Sequence, residues 1–177
     1  MKKTSILLLI AAFWSSAMII QSCEKDDDDN EPENEPSEFV ADNSTFADFM
    51  NWSLDATAQG ADPALGGAHG GNDSSVTRNV YFMDGQDPNS NGEYPKGTVI
   101  VKHSNNPSAT VDEYTAMVKR GESFNSDGGG WEYFMLESNG NIAEDGDGNP
   151  MRGAQLMNGM CANCHASASS SDYVFSK

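Results

Sequence analysis

Apolar and polar positions repeat at two different periods along this chain, and the changes of period mark out its elements. Within residues 44–58 (STFADFMNWSLDATA), Phe46, Phe49, Met50 and Leu54 recur at helical spacing, which predicts a first amphipathic helix ended by Gly60. The runs SVTRNVYFM (75–83) and GTVIVKH (97–103) are rich in β-branched and aromatic residues and predict two strands. Between them DGQDPNSNGEYPK has the composition of a long hairpin connection. TVDEYTAMVKRG (110–121) predicts a second helix, because Thr110 and Glu113 fit a capping box, Lys119 and Arg120 suit a last turn, and Gly121 can stop it. GGGWEYFMLESNGNI predicts an aromatic strand entering an Asn-Gly turn, and PMRGAQLMNGM a short helix or loop that delivers CANCH (161–165). The fold class expected from this order is α+β, a mainly antiparallel sheet with a few helices.

Strand parity then sorts side chains into faces. Thr98, Ile100 and Lys102 share one face of their strand, and Val99, Val101 and His103 share the other, so Lys102 and His103 cannot enter one pocket without a bulge. Arg78 shares a face with Val76, Val80 and Phe82, where its guanidinium needs either an anionic partner or a solvent-facing edge.

Charge and composition divide the chain into three parts. Residues 1–22 (MKKTSILLLIAAFWSSAMIIQS) have the layout of an export signal: two lysines, an apolar run broken by Ser15, Ser16 and Gln21, then small and polar residues. Cys23 follows, and IIQSC resembles the lipobox of bacterial lipoproteins, which implies lipidation at Cys23. Residues 23–38 continue as an acidic, proline-broken tether, and EKDDDDN resembles the export signal that sends some lipoproteins to the outer cell face. The expected location is the outer membrane, on its periplasmic or cell-surface side, held there through the lipid alone. Residues 39–177 form the domain. The net charge of −17 leaves −11 on that domain and argues against nucleic acid as a partner.

Of three cysteines, Cys23 is taken by the expected lipid, which leaves Cys161 and Cys164. These two could pair with each other, hold half a zinc site, or act as a redox pair. With His165 directly after them they instead complete C-x-x-C-H, the attachment signature of c-type haem, in which both thiols bind the vinyl groups and the histidine ligates the iron. Zinc lacks two further good ligands in the pattern, and a thioredoxin-like motif lacks its βαβ context. One motif means one covalently attached haem c. Nine methionines and two other histidines leave the sixth iron position open on composition.

VTRNVYF (76–82), GTVIVK (97–102), YTAMVKRG (114–121), GGWEYFML (129–136), CANCH and DYVF (172–175), in that order, together resemble the cytochrome P-460 family and the related cytochromes c′-beta. The resemblance implies a mainly β domain around a five-coordinate haem, with thioethers at Cys161 and Cys164 and His165 on the iron. It also implies a covalent bond from Lys102 to a porphyrin meso carbon, and a distal position for Arg78. The activity implied is binding or oxidation of hydroxylamine or nitric oxide, with electrons passed to an acceptor cytochrome. A gas-binding protein of the c′-beta kind and a six-coordinate electron carrier are the alternatives, and a homodimer is compatible with either. The distal carboxylate of hydroxylamine-oxidising members has no aligned counterpart; Arg152 and Gln155 lie near its place, and Glu144, Asp145 and Asp147 fall in a turn whose EDGDGN pattern lacks the closing glutamate of a calcium loop. His69 in GGAHGG is read as a loop histidine, with a place near the haem rim as the alternative, and Trp131, Tyr133 and Phe134 as core and haem-pocket packing.

Overall fold

A computed structural model describes residues 38–121 and 123–175. The expected signal segment, Cys23 and the tether up to residue 37 lie outside the described residues.

Six strands form one antiparallel meander in chain order. They are β1 (Ser53–Gln59), β2 (Thr77–Phe82), β3 (Val99–Asn105), β4 (Asp112–Lys119), β5 (Trp131–Leu136) and β6 (Arg152–Gly153), and α1 (Met160–His165) follows the last of them. This confirms the α+β class and both strands predicted around Arg78 and Lys102. The Asn-Gly turn after β5 is also present. Gly140 donates to the Glu137 carbonyl at 2.9 Å, and a Cβ there would meet the Phe46 carbonyl oxygen at 2.5 Å, so only glycine closes this turn.

Both predicted helices of the first two-thirds are corrected. Residues 43–46 and 49–51 form only short 3₁₀ turns, and Leu54 already lies in β1. Asp42 caps the first turn through the backbone of Ser44 and Thr45, but Ala47 turns extended at ψ 138° and Asp48 is left-handed at φ 54°, which ends the helix after one turn. Segment 110–121 is the central strand β4. Here Tyr114, Ala116 and Val118 alternate with Thr115, Met117 and Lys119, and each set has a buried face to fill, so pairing with β3 and β5 overrides the capping-box pattern.

The two faces of the sheet are covered by the two ends of the domain. On one face Val99, Val101, Tyr114, Ala116, Val118, Phe134 and Leu136 pack under Ala41, Phe46 and Phe49 of the N-terminal segment. On the other, Val80, Phe82, Ile100, Met117, Trp131 and Tyr133 pack against Leu156, Cys161, Ala162 and Val174 of the C-terminal segment. The C-x-x-C-H helix is thereby laid on the second face.

Candidate haem site

Gly159, with φ 80°, turns the chain into α1, and the single helical turn from Cys161 to Cys164 puts both thiols on one side of it. Both are free, so the disulfide reading is not realised. Among the described residues no group of three or more His, Cys, Asp or Glu is placed to hold a metal ion, so these thiols have no zinc site around them. Burial pushes the Cys161 thiol up.

His165 ends the helix with its ring between Tyr133, at 5.3 Å, and Phe175, at 5.2 Å. Its Nδ1 lies 2.7 Å from the Tyr173 carbonyl oxygen, so Nδ1 carries the proton and Nε2 is left with a free lone pair. Burial pushes its pKa down to about 4; the Tyr173 carbonyl opposes this, and Lys102 and His69 add to it. A neutral imidazole with a bare Nε2 is the form that ligates iron.

The sheet face near this helix carries Arg78 on β2, Lys102 and Ser104 on β3, Glu113 and Thr115 on β4, and Tyr133 and Met135 on β5, as the pairings Arg78↔Ser104, Lys102↔Thr115 and Thr115↔Met135 require. Arg78 is 4% exposed; Nη2 donates to the Gly60 carbonyl at 2.8 Å, while Nη1 has no partner. Ser104 Oγ, opposite it in register, and Tyr133 OH are also buried without a partner. Three such atoms on one face cost too much to be incidental, since each forfeits roughly 1–3 kcal/mol. They fit a group that brings carboxylates and a flat apolar body, as haem does.

Lys102 is half-buried on this face, and its ammonium pKa is lowered by burial first and by Arg78 next, with Glu113, Cys164 and Asp62 opposing. His103 points the other way: it stacks on Tyr114 at 4.2 Å and meets Asp112 Oδ1 at 2.8 Å through Nε2. Parity thus separates Lys102 from His103 as expected.

Sequence reasoning missed Glu113, which it placed in a helix cap. On β4 Glu113 shares the Lys102 face, and its Oε1 lies 3.1 Å from His69 Nδ1, a close contact whose angles fall short of a hydrogen bond. The signal that could have found it is the period-2 series Glu113, Thr115, Met117, Lys119. Arg152 is no distal group: it faces the opposite core, chelates Glu132 at 2.8 Å through Nε and Nη2, and lies over the Phe134 ring. Gln155 is exposed. Asp145 closes its own turn by accepting from the Asp147 and Asn149 backbone, as a Gly-Asp turn should.

A C-x-x-C-H helix presenting a free imidazole to a sheet face with unpartnered polar atoms defines the class, a haem-binding cytochrome. Within that class, the sequence model of the cytochrome P460 family matches residues 62–176, and the chain belongs to that family. Neither a curated protein nor a solved structure matches it.

Proposed function

We propose that this is an exported, lipid-anchored, mono-haem c-type cytochrome that binds and oxidises a small nitrogen compound, hydroxylamine or nitric oxide, at an open distal position. Cys161 and Cys164 would hold the haem as thioethers and His165 its iron. The observation that carries the reading is that Lys102, which interacts electrostatically with both His165 and Cys164, shares one sheet face with Arg78 and Glu113, whose charges in turn act on it. When bound, haem supplies a redox iron and a coordination position for the nitrogen ligand.

The chain's own residues do the rest. The unpartnered Nη1 of Arg78 is a donor for an anionic group, a propionate or a polarised substrate oxygen. The Lys102 amine, easier to deprotonate through burial, is suited to the covalent bond to the porphyrin that the family implies. Glu113, beside His69, can accept protons released as the substrate is oxidised, while electrons leave to a separate acceptor cytochrome. The lipid at Cys23 would place this chemistry at the outer membrane.

The test is anaerobic addition of hydroxylamine to the matured ferric protein with an artificial electron acceptor. Turnover is expected, and Glu113→Gln should reduce it at least ~10²-fold while ligand binding persists. A ligand-bound spectrum without turnover in the wild type would instead establish a gas-binding protein.

A further inference from the structure

The tail after the haem motif is tied down far more firmly than its place near the end of the chain requires. Asp172 is 8% exposed, and its carboxylate accepts from Lys119 Nζ at 2.7 and 2.9 Å, from the Tyr94 backbone at 2.7 Å and from Trp131 Nε1 at 3.4 Å. These partners come from β4, from the β2–β3 connection and from β5, so one side chain staples the tail to three separate pieces of the sheet. Lys119 in turn lies over the Trp131 ring, 5.3 Å from its centroid.

This staple holds an unfavourable backbone. Asp172 and Tyr173 are consecutive residues in the left-handed region, at φ 50° and 65°, a conformation that non-glycine residues seldom adopt and that persists where surrounding contacts enforce it. Tyr173 is fixed from both ends. Its N–H donates to the Ala168 carbonyl at 2.9 Å and its hydroxyl to the Asp127 carbonyl at 2.9 Å, while its ring lies so close over Gly129 that a Cβ there would be 2.7 Å from Cε2. The product of this double turn is the direction of one carbonyl, that of Tyr173, which receives His165 Nδ1–H at 2.7 Å.

We propose that Asp172 is a positioning residue for the proximal ligand: through the Tyr173 carbonyl it fixes the tautomer, ring orientation and electron-donating strength of His165. The proposal rests on His165 being the iron ligand, as argued above. A held carbonyl on Nδ1 makes the imidazole a stronger donor, which strengthens the iron–histidine bond and lowers the reduction potential. Releasing the carbonyl should reverse both.

The experiment compares matured wild-type protein with Asp172→Ala and Asp172→Asn by resonance Raman of the ferrous form and by redox titration. Asp172→Ala should shift the iron–histidine stretch to lower frequency and the potential upward. Asp172→Asn keeps one acceptor oxygen, for the Tyr94 backbone or for Trp131 but not both, and loses the ion pair to Lys119, so its shifts should be smaller and in the same direction. If the alanine variant does not fold, the asparagine variant decides. Frequency and potential both unchanged in a folded variant, whatever its melting temperature, would overturn the proposal, because a merely structural staple moves stability alone. Absence in the wild type of a band that moves on isotopic labelling of histidine would overturn it differently, by removing the ligand assignment beneath it.

Discussion

Individual residues in this protein are set apart by which partners they have. Glu132 is 2% exposed and shared by Arg152 and Arg120, with contacts of 2.8 and 3.3 Å. Removing it would leave the half-buried Arg152 guanidinium without a carboxylate, while Arg120 would keep its pair with Glu38. Glu132→Ala should therefore cost about 3–5 kcal/mol in denaturant unfolding, and a change within ordinary surface scatter would show that the network contributes little. His165 gives a pH prediction for the chain before haem is attached. Its folded pKa of about 4 lies below the ordinary 6.5, so the unfolded chain binds the proton more readily. Stability is thus fully present above pH 6.5 and falls as pH drops toward 4, by about 3 kcal/mol in all. Chemical denaturation of wild type and His165→Asn across that window should show the slope in the first and lose it in the second.

At the scale of elements, what the sequence made legible followed from how local the deciding forces were. β2 and β3 were readable because their β-branched runs and their pairing agree, and parity placed Arg78, Lys102 and His103 on the correct faces without coordinates. β4 was misread because Thr110, Glu113, Lys119 and Arg120 satisfy every local helix signal, while the force that makes it a strand comes from β3 and β5, distant in sequence. The same error hid Glu113, which parity on a strand would have placed beside Lys102. The first segment failed similarly: Phe46 and Phe49 are buried at 0% and 2%, but on successive 3₁₀ turns that lid the sheet, so their spacing matched a helix without being one. The strand assignment has its own check. Ala116 pairs with both Val101 and Phe134 in the middle of the sheet, and Ala116→Pro removes a ladder hydrogen bond there. It should cost about 3 kcal/mol or more, enough to prevent purification of folded protein; a stable variant would contradict the register.

The described residues form a single sheet with two covers of different purpose. The N-terminal cover is built mainly of aromatic packing, Phe46 on Phe134 and Phe49 among Trp52, Tyr81 and Tyr114. The C-terminal cover carries the C-x-x-C-H helix, Cys161, Cys164 and His165, over the face where Arg78, Lys102 and Glu113 lie. A chain that buries its hydrophobic face twice can leave polar atoms unpartnered on one side, because the other side holds the sheet together. That division is why the candidate site reads as a receptacle for haem rather than as core. Its most direct test is the optical spectrum of the matured, reduced protein before and after carbon monoxide, with intact mass, for wild type and Lys102→Ala. The account predicts a high-spin ferrous spectrum that carbon monoxide changes, with a strongly red-shifted band in the wild type that Lys102→Ala returns to the ordinary c-type position. A low-spin spectrum indifferent to carbon monoxide and identical in the two proteins would contradict it.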